Sequence, residues 1–98
     1  MSRRIVRVDR SLFDDIDRQL GPTRAGDGRP SASDFVTYEL PTIVEEFASR
    51  FDDLPTAYVG REDYRVLVSS GTLVRAALVI GQRRSDDSVV LLAAELEL

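Results

Sequence analysis

The spacing of apolar positions changes period along this chain. Arg4-Ile5-Val6-Arg7-Val8 is a short run rich in β-branched residues and predicts a strand over 4–8. From Ser11 the period lengthens. Leu12, Ile16 and Leu20 recur at i, i+4 and i+8, with Phe13 beside them, and predict a short helix capped by Ser11. Asp14 and Asp15 then fall in its first turn, where the helix dipole favours carboxylates, and Gly21-Pro22 ends it. The Gly- and Pro-rich residues 21–31 read as a loop without phosphate-binding spacing.

A second helical stretch covers roughly 32–53, capped by Ser31 or Ser33. Phe35, Val36, Leu40, Ile43, Val44, Phe47, Phe51 and Leu54 make its apolar face. Pro41 lies inside it, removes one backbone donor and predicts a kink or a break into two pieces. From residue 56 the period becomes two. Tyr64, Val66 and Val68 alternate with Arg65 and Leu67, Ser69-Ser70-Gly71 suits a hairpin turn, and 72–80 runs back. Residues 81–88 read as a polar connection, 89–98 as the last strand, and 56–60 as a short added strand.

A register follows from keeping the apolar faces together. Val66 faces Val74, Arg65 faces Arg75, Arg75 faces Glu95 and Leu73 faces Glu97. Tyr64, Val66, Val68, Val74, Ala76, Leu78, Ile80, Val90, Leu92, Ala94, Leu96 and Leu98 then share the face toward the helices. Arg65, Leu67, Arg75, Val79, Leu91, Glu95 and Glu97 share the other. The expected fold is α+β and a single domain over 1–98. Two helices, the second kinked at Pro41, pack on one face of an antiparallel sheet of about four strands.

Composition removes several chemistries. There is no Cys, so no disulfide framework, thiolate metal site or cysteine nucleophile is expected. There is no His, which removes the usual general base near neutral pH and the commonest metal ligand. The acidic pairs Asp14-Asp15, Glu45-Glu46, Asp52-Asp53 and Asp86-Asp87 are sequence neighbours, a poor metal cage on a helix. No metal and no cofactor is expected. All 13 basic residues are Arg, and the net charge of −4 argues against general nucleic-acid binding. Neither a signal peptide nor a membrane span is legible, so a cytoplasmic location is expected, with no membrane partner.

Three stretches carry a family resemblance: "VRVDRSLFDDIDRQL", "ASDFVTYELPTIVEEFASRFDDLP" and "DYRVLVSSG" with "ALVI" and "DDSVVLLAAEL". In their order of strand, helix, helix and antiparallel sheet they resemble the RelE/ParE superfamily of toxins from toxin–antitoxin modules, over most of the chain. The family's ribonucleases act with basic residues on the sheet and a C-terminal segment bearing Arg and often Tyr. Arg65 matches one basic position, but Leu67 and Leu73 stand at two others, and Glu95-Leu96-Glu97-Leu98 stands where Gly-x-Arg and the Tyr would be. Carboxylates repel a phosphate, so the resemblance implies a protein-binding, ParE-type member with a cognate antitoxin as partner and no catalytic residues.

The candidate anion- or partner-binding residues are Arg61, Tyr64, Arg65, Arg75, Arg83 and Arg84. As a ribonuclease the chain would use Arg65, Arg83 and Arg84 to hold the RNA backbone. The competing reading pairs Arg75 with Glu95 across strands and sets Arg83-Arg84 against Asp86-Asp87. The last strand is either an open edge that would serve a homodimer, or is covered by the first strand. A homo-oligomeric regulator or scaffold unrelated to toxins is the third functional class.

Overall fold

A computed structural model describes residues 3–21, 30–70 and 73–98. The elements in order are β1 (Val6–Val8), α1 (Arg10–Gln19), α2 (Ala32–Tyr38), α3 (Leu40–Arg50), a 3-10 turn (Phe51–Asp53), β2 (Thr56–Tyr58), β3 (Arg61–Ser69), β4 (Ala76–Arg83) and β5 (Val89–Glu97). Among the described residues the fold is α+β, with three helices rather than two and five strands rather than about four. Most of the loop read at 21–31, and Gly71 of the hairpin turn, lie outside the described residues.

Local chemistry sets the helix ends. Asp9, not Ser11, caps α1, and its carboxylate accepts the Ser11 backbone N–H at 3.1 Å. The helix therefore starts one residue before Ser11, and Asp14 and Asp15 lie beyond its first turn. Ser31 caps α2 in a reciprocal box: its hydroxyl accepts the Asp34 N–H at 3.1 Å, and the Asp34 carboxylate accepts the Ser31 N–H at 3.0 Å. The second helical stretch breaks at Glu39. Pro41 then falls in the first turn of α3, where its missing N–H has no intrahelical acceptor to lose.

The strand order is β1-β5-β4-β3-β2. β2, β3, β4 and β5 are antiparallel, but β1 joins β5 in parallel, with Val6 opposite Val89 and Val8 opposite Leu91. The sheet is thus mixed, not antiparallel throughout. The polar connection is shorter than read, because β4 extends to Arg83 and only the segment to Ser88 turns.

The hairpin register differs from the expected one. Val66 pairs with Ile80, Arg65 with Gly81 and Ser69 with Ala77, so the turn is longer than Ser69-Ser70-Gly71. This reverses the face assignment on β3 and β4. Leu67, Ala77 and Val79 point to the helices, and Val66, Val68, Leu78 and Ile80 point away. Packing gives the reason. Phe35, Phe47 and Phe51 are fully buried on the helix side, and Phe47 approaches the sheet closely. Gly81 lies under Phe47, and a Cβ there would stand 2.7 Å from the ring carbon Cε1. β4 therefore turns Ala77, Val79 and Gly81 inward and Leu78 and Ile80 outward.

β5 holds one residue more than β4 between the pairs Ile80–Ala93 and Gly81–Leu91. This bulge at Leu92 shifts the phase of the strand. Val89 and Leu91 before it, and Ala94 and Leu96 after it, all reach the core side. Val90 and Leu92 do not, contrary to strict alternation, and Leu98 is exposed.

The outer edge of β5 is closed in two ways. β1 covers residues 89–91, and the Asp9 N–H then donates to Leu91 O at 3.0 Å. Beyond that, α1 takes over with polar side chains at i, i+4 and i+8. Ser11 Oγ donates to Leu92 O at 2.6 Å, Asp15 Oδ2 accepts the Ala94 N–H at 3.0 Å, and Gln19 Nε2 donates to Ala94 O at 2.8 Å. Gln19 Oε1 also accepts the Leu96 N–H at 2.7 Å. The stripe of Ser11, Asp15 and Gln19 runs beside the apolar stripe of Leu12 and Ile16. One helix thus packs on the sheet and also meets the hydrogen bonds of its edge. Among the described residues no helix is long and apolar enough to cross a membrane.

Candidate functional site

The helices cover one face of the sheet. On the other face the pairings give three rows across β3, β4 and β5: Tyr64–Gln82–Val90, Val66–Ile80–Ala93 and Val68–Leu78–Glu95. A fourth, shorter row is Ala76–Glu97. The middle of this face is aliphatic. Val68 is 65% exposed and Leu78 37%, and neither belongs to the core. Large aliphatic side chains left in water gain about 25 cal/mol for each Å² later covered, so they favour a covering partner.

The two ends of the face differ in charge. At the β2–β3 end, Arg61 makes paired hydrogen bonds to Asp63, Nε to Oδ1 at 3.1 Å and Nη2 to Oδ2 at 3.0 Å. Its guanidinium carbon lies 4.9 Å from the centre of the Tyr64 ring, and Tyr58 meets that ring edge-on at 5.1 Å. Gln82 Nε2 also donates to Asp63 Oδ2 at 3.1 Å. Arg61 first, then Gln82, pulls the Asp63 carboxyl down to about 2. Arg7, across from Val90, donates to Ser88 Oγ at 2.7 Å and to Asp86 at 3.3 Å. Arg61 and Arg7 are therefore already matched.

The opposite end is acidic. Glu95 and Glu97 are exposed on the same face as Leu78 and Ala76. Arg75 pairs with Glu97, at 3.6 Å between largely exposed groups, not with Glu95 as the register suggested. The reason is the longer hairpin turn, which sets Leu78 opposite Glu95 and leaves Arg75 just before β4.

The six candidate residues are not gathered into one site. Arg61 and Tyr64 do meet. Arg65 turns toward the helix side, stacks 5.3 Å from the Phe51 ring centre, and donates to the carbonyls of Asp52 at 2.9 Å, Leu54 at 2.8 Å and Glu62 at 2.8 Å. Those bonds close the end of the 3-10 turn and leave Arg65 poorly placed to hold an anion. Arg75 lies at the far end of the sheet. Arg83 follows the inward phase of Gly81, and Arg84 begins the turn, where its backbone N–H donates to Ser88 O at 2.7 Å. Asp86 and Asp87 pair with Arg7 and Arg4 instead of Arg83 and Arg84. Among the described residues no group of three or more carboxylates is placed to hold a metal ion.

The residues that sequence reasoning missed are Val68, Leu78, Val66 and Ile80 as an open surface. One sign was available: the lone Gly81 within a strand marks a close approach and so the inward side. Comparison with protein-family models, curated proteins and solved structures returns no match.

Proposed function

We propose that this protein is a binding module of the toxin-like kind, which acts on another protein through the outer face of its sheet and carries out no catalysis of its own. The carrying observation is the uncovered aliphatic rows of β3 and β4, with Val68 and Leu78 in water. The element order also agrees with what the RelE/ParE resemblance implies, a strand and helices ahead of an antiparallel hairpin sheet. Engagement of Arg65 by four carbonyls speaks for protein binding over RNA cleavage.

The test is coexpression with the product of the adjacent gene, followed by copurification. A small cognate partner should copurify with the wild type and be lost with Leu78→Asp, a change at an exposed position. Expression without the partner should arrest growth. Failure to find any cognate partner, or a partner indifferent to Leu78→Asp, would sink this reading. Ribosome-dependent mRNA cleavage by the purified chain would replace it.

A further inference from the structure

Resting on that reading of the outer face, we infer that its acidic end receives a Lys or Arg side chain from an amphipathic helix of the partner. The evidence is a shallow hollow of about 240 Å³ lined by Val68, Ala76, Leu78, Glu95, Leu96 and Glu97. Val68, Ala76 and Leu78 present aliphatic side chains here, Leu96 turns its own toward the core, and two are carboxylates. A side chain that suits the three aliphatic residues and the two carboxylates has an apolar stem and a cationic head, which describes Lys and Arg.

The distribution of charge selects the sign. Glu95 makes no ion pair or side-chain hydrogen bond among the described residues, while Glu97 has only its contact to Arg75, at 3.6 Å. At the other end of the face Asp63 engages Arg61, and Asp86 with Ser88 engages Arg7. The uncompensated charge on this surface is therefore negative. Through this face a second copy would bring its own Glu95 and Glu97, and Arg61 and Arg7, both already paired. A nucleic acid would bring phosphates toward Glu95 and Glu97. A separate protein segment with a free cation fits best.

Spacing suits a helix. Rows of one sheet face recur every two residues, roughly 6.8 Å along the strand. Residues i and i+4 of a helix lie about 6 Å apart along its axis and on one side. A helix lying along the strands sets an aliphatic residue on the Val66–Ile80 row and a basic residue four positions away on the Leu78–Glu95 row.

The probe is a labelled, stapled helical peptide of about 16 residues with Leu at i and Lys at i+4, since shorter free helices are marginal in water. Two relatives accompany it, one with Glu for each Lys, and one of the same composition without an apolar face. Fluorescence anisotropy with the full chain reads the binding. The Lys peptide should bind more tightly than both. Glu95→Gln should weaken it about three-fold, the effect of one exposed charge pair. Glu95→Lys should weaken it further, by about ten-fold, and improve binding of the Glu peptide. Equal binding of the Lys and Glu peptides, or a Glu95→Lys variant that binds the Lys peptide as the wild type does, overturns the inference. So does sedimentation of the wild type as a dimer that Leu78→Asp dissociates. Loss of the cognate partner with Leu78→Asp but not with Glu95→Lys would leave the protein-binding role standing and remove only the basic helix.

Discussion

Asp15 joins a helix to a strand edge, and replacing it measures how far side chains can stand in for a neighbouring strand. Its carboxylate accepts the Ala94 N–H at 3.0 Å and pairs with Arg18 at 2.8 Å, while only 20% of the side chain is exposed. In Asp15→Ala the Ala94 N–H loses its acceptor between α1 and β5. An unmet donor at such a site costs about 1–3 kcal/mol. Loss of the pair to Arg18 adds roughly 0.3 kcal/mol, and the better helix propensity of Ala returns about 0.5 kcal/mol. The net cost is about 1–2.5 kcal/mol, or a fall of roughly 5–15 °C in Tm for a chain of this size. Asp15→Asn keeps an acceptor oxygen and should lose less than half as much. Urea denaturation gives the difference, and amide exchange should show faster opening at Ala94 and Leu96 than in β4. The Ala94 N–H is also the main cause that holds the Asp15 carboxyl below its ordinary value, followed by Arg18. Its folded pKa is lowered, so its contribution is present above the unfolded value of 3.8 and fades as pH falls through the folded one. The gap between wild type and Asp15→Asn should therefore close in acid. An Asp15→Ala protein as stable as the wild type, or no more labile at Ala94, would refute the edge-sealing argument.

Gly81→Ala should destabilise the fold by about 1–2 kcal/mol despite the strand preference for a side chain, because the new Cβ meets the buried Phe47 ring at 2.7 Å. Phe47→Leu in the same chain should recover part of that loss in thermal melts. Arg65→Met, which keeps the stem over Phe51, should cost about 1–3 kcal/mol by leaving the carbonyls of Asp52, Leu54 and Glu62 short of donors. A full-stability Arg65→Met protein would show those bonds to be dispensable. Asp63 should titrate by NMR near pH 2, and Arg61→Ala should raise its midpoint toward 3.8. Its lowered folded pKa means that its stabilising contribution is complete above about 3.8 and disappears as pH falls toward about 2.

The elements were largely legible in the sequence because their signals are local. Leu12 and Ile16 at helical spacing, the run from Phe35 to Phe51, and the Pro41 break all appear where the pattern put them. The faces of the sheet were not legible. Leu67 and Val79 on one side and Val66, Val68, Leu78 and Ile80 on the other are equally apolar, so period two cannot orient them. The choice is made by bulk on another element, the Phe47 ring against Gly81. Strict alternation also fails at the Leu92 bulge, which nothing in the run of Val, Leu and Ala announces. The same limits governed the candidate site. Arg61 and Tyr64 are three residues apart and meet, whereas Arg65, Arg75 and Arg83 depend on a register fixed by distant packing. Ser11, Asp15 and Gln19 looked like a solvated helix face because the strand edge that they serve comes much later in the chain.

The position of β5 between β1 and β4 has a kinetic consequence. The strand at the centre of contact for α1, β1 and β4 is the last of these elements to leave the ribosome. Until it arrives, β1 has no strand neighbour, and the polar stripe of α1 has no strand backbone to bond. The earlier segments can form local helix and the β3–β4 hairpin, but closure joins residues from opposite ends of the sequence. Bringing such distant segments together must be achieved before their contacts reward it, which places folding toward the slow end for mixed domains. In the interval the outer face of the hairpin and its β5-side edge are open, which favours engagement by chaperones.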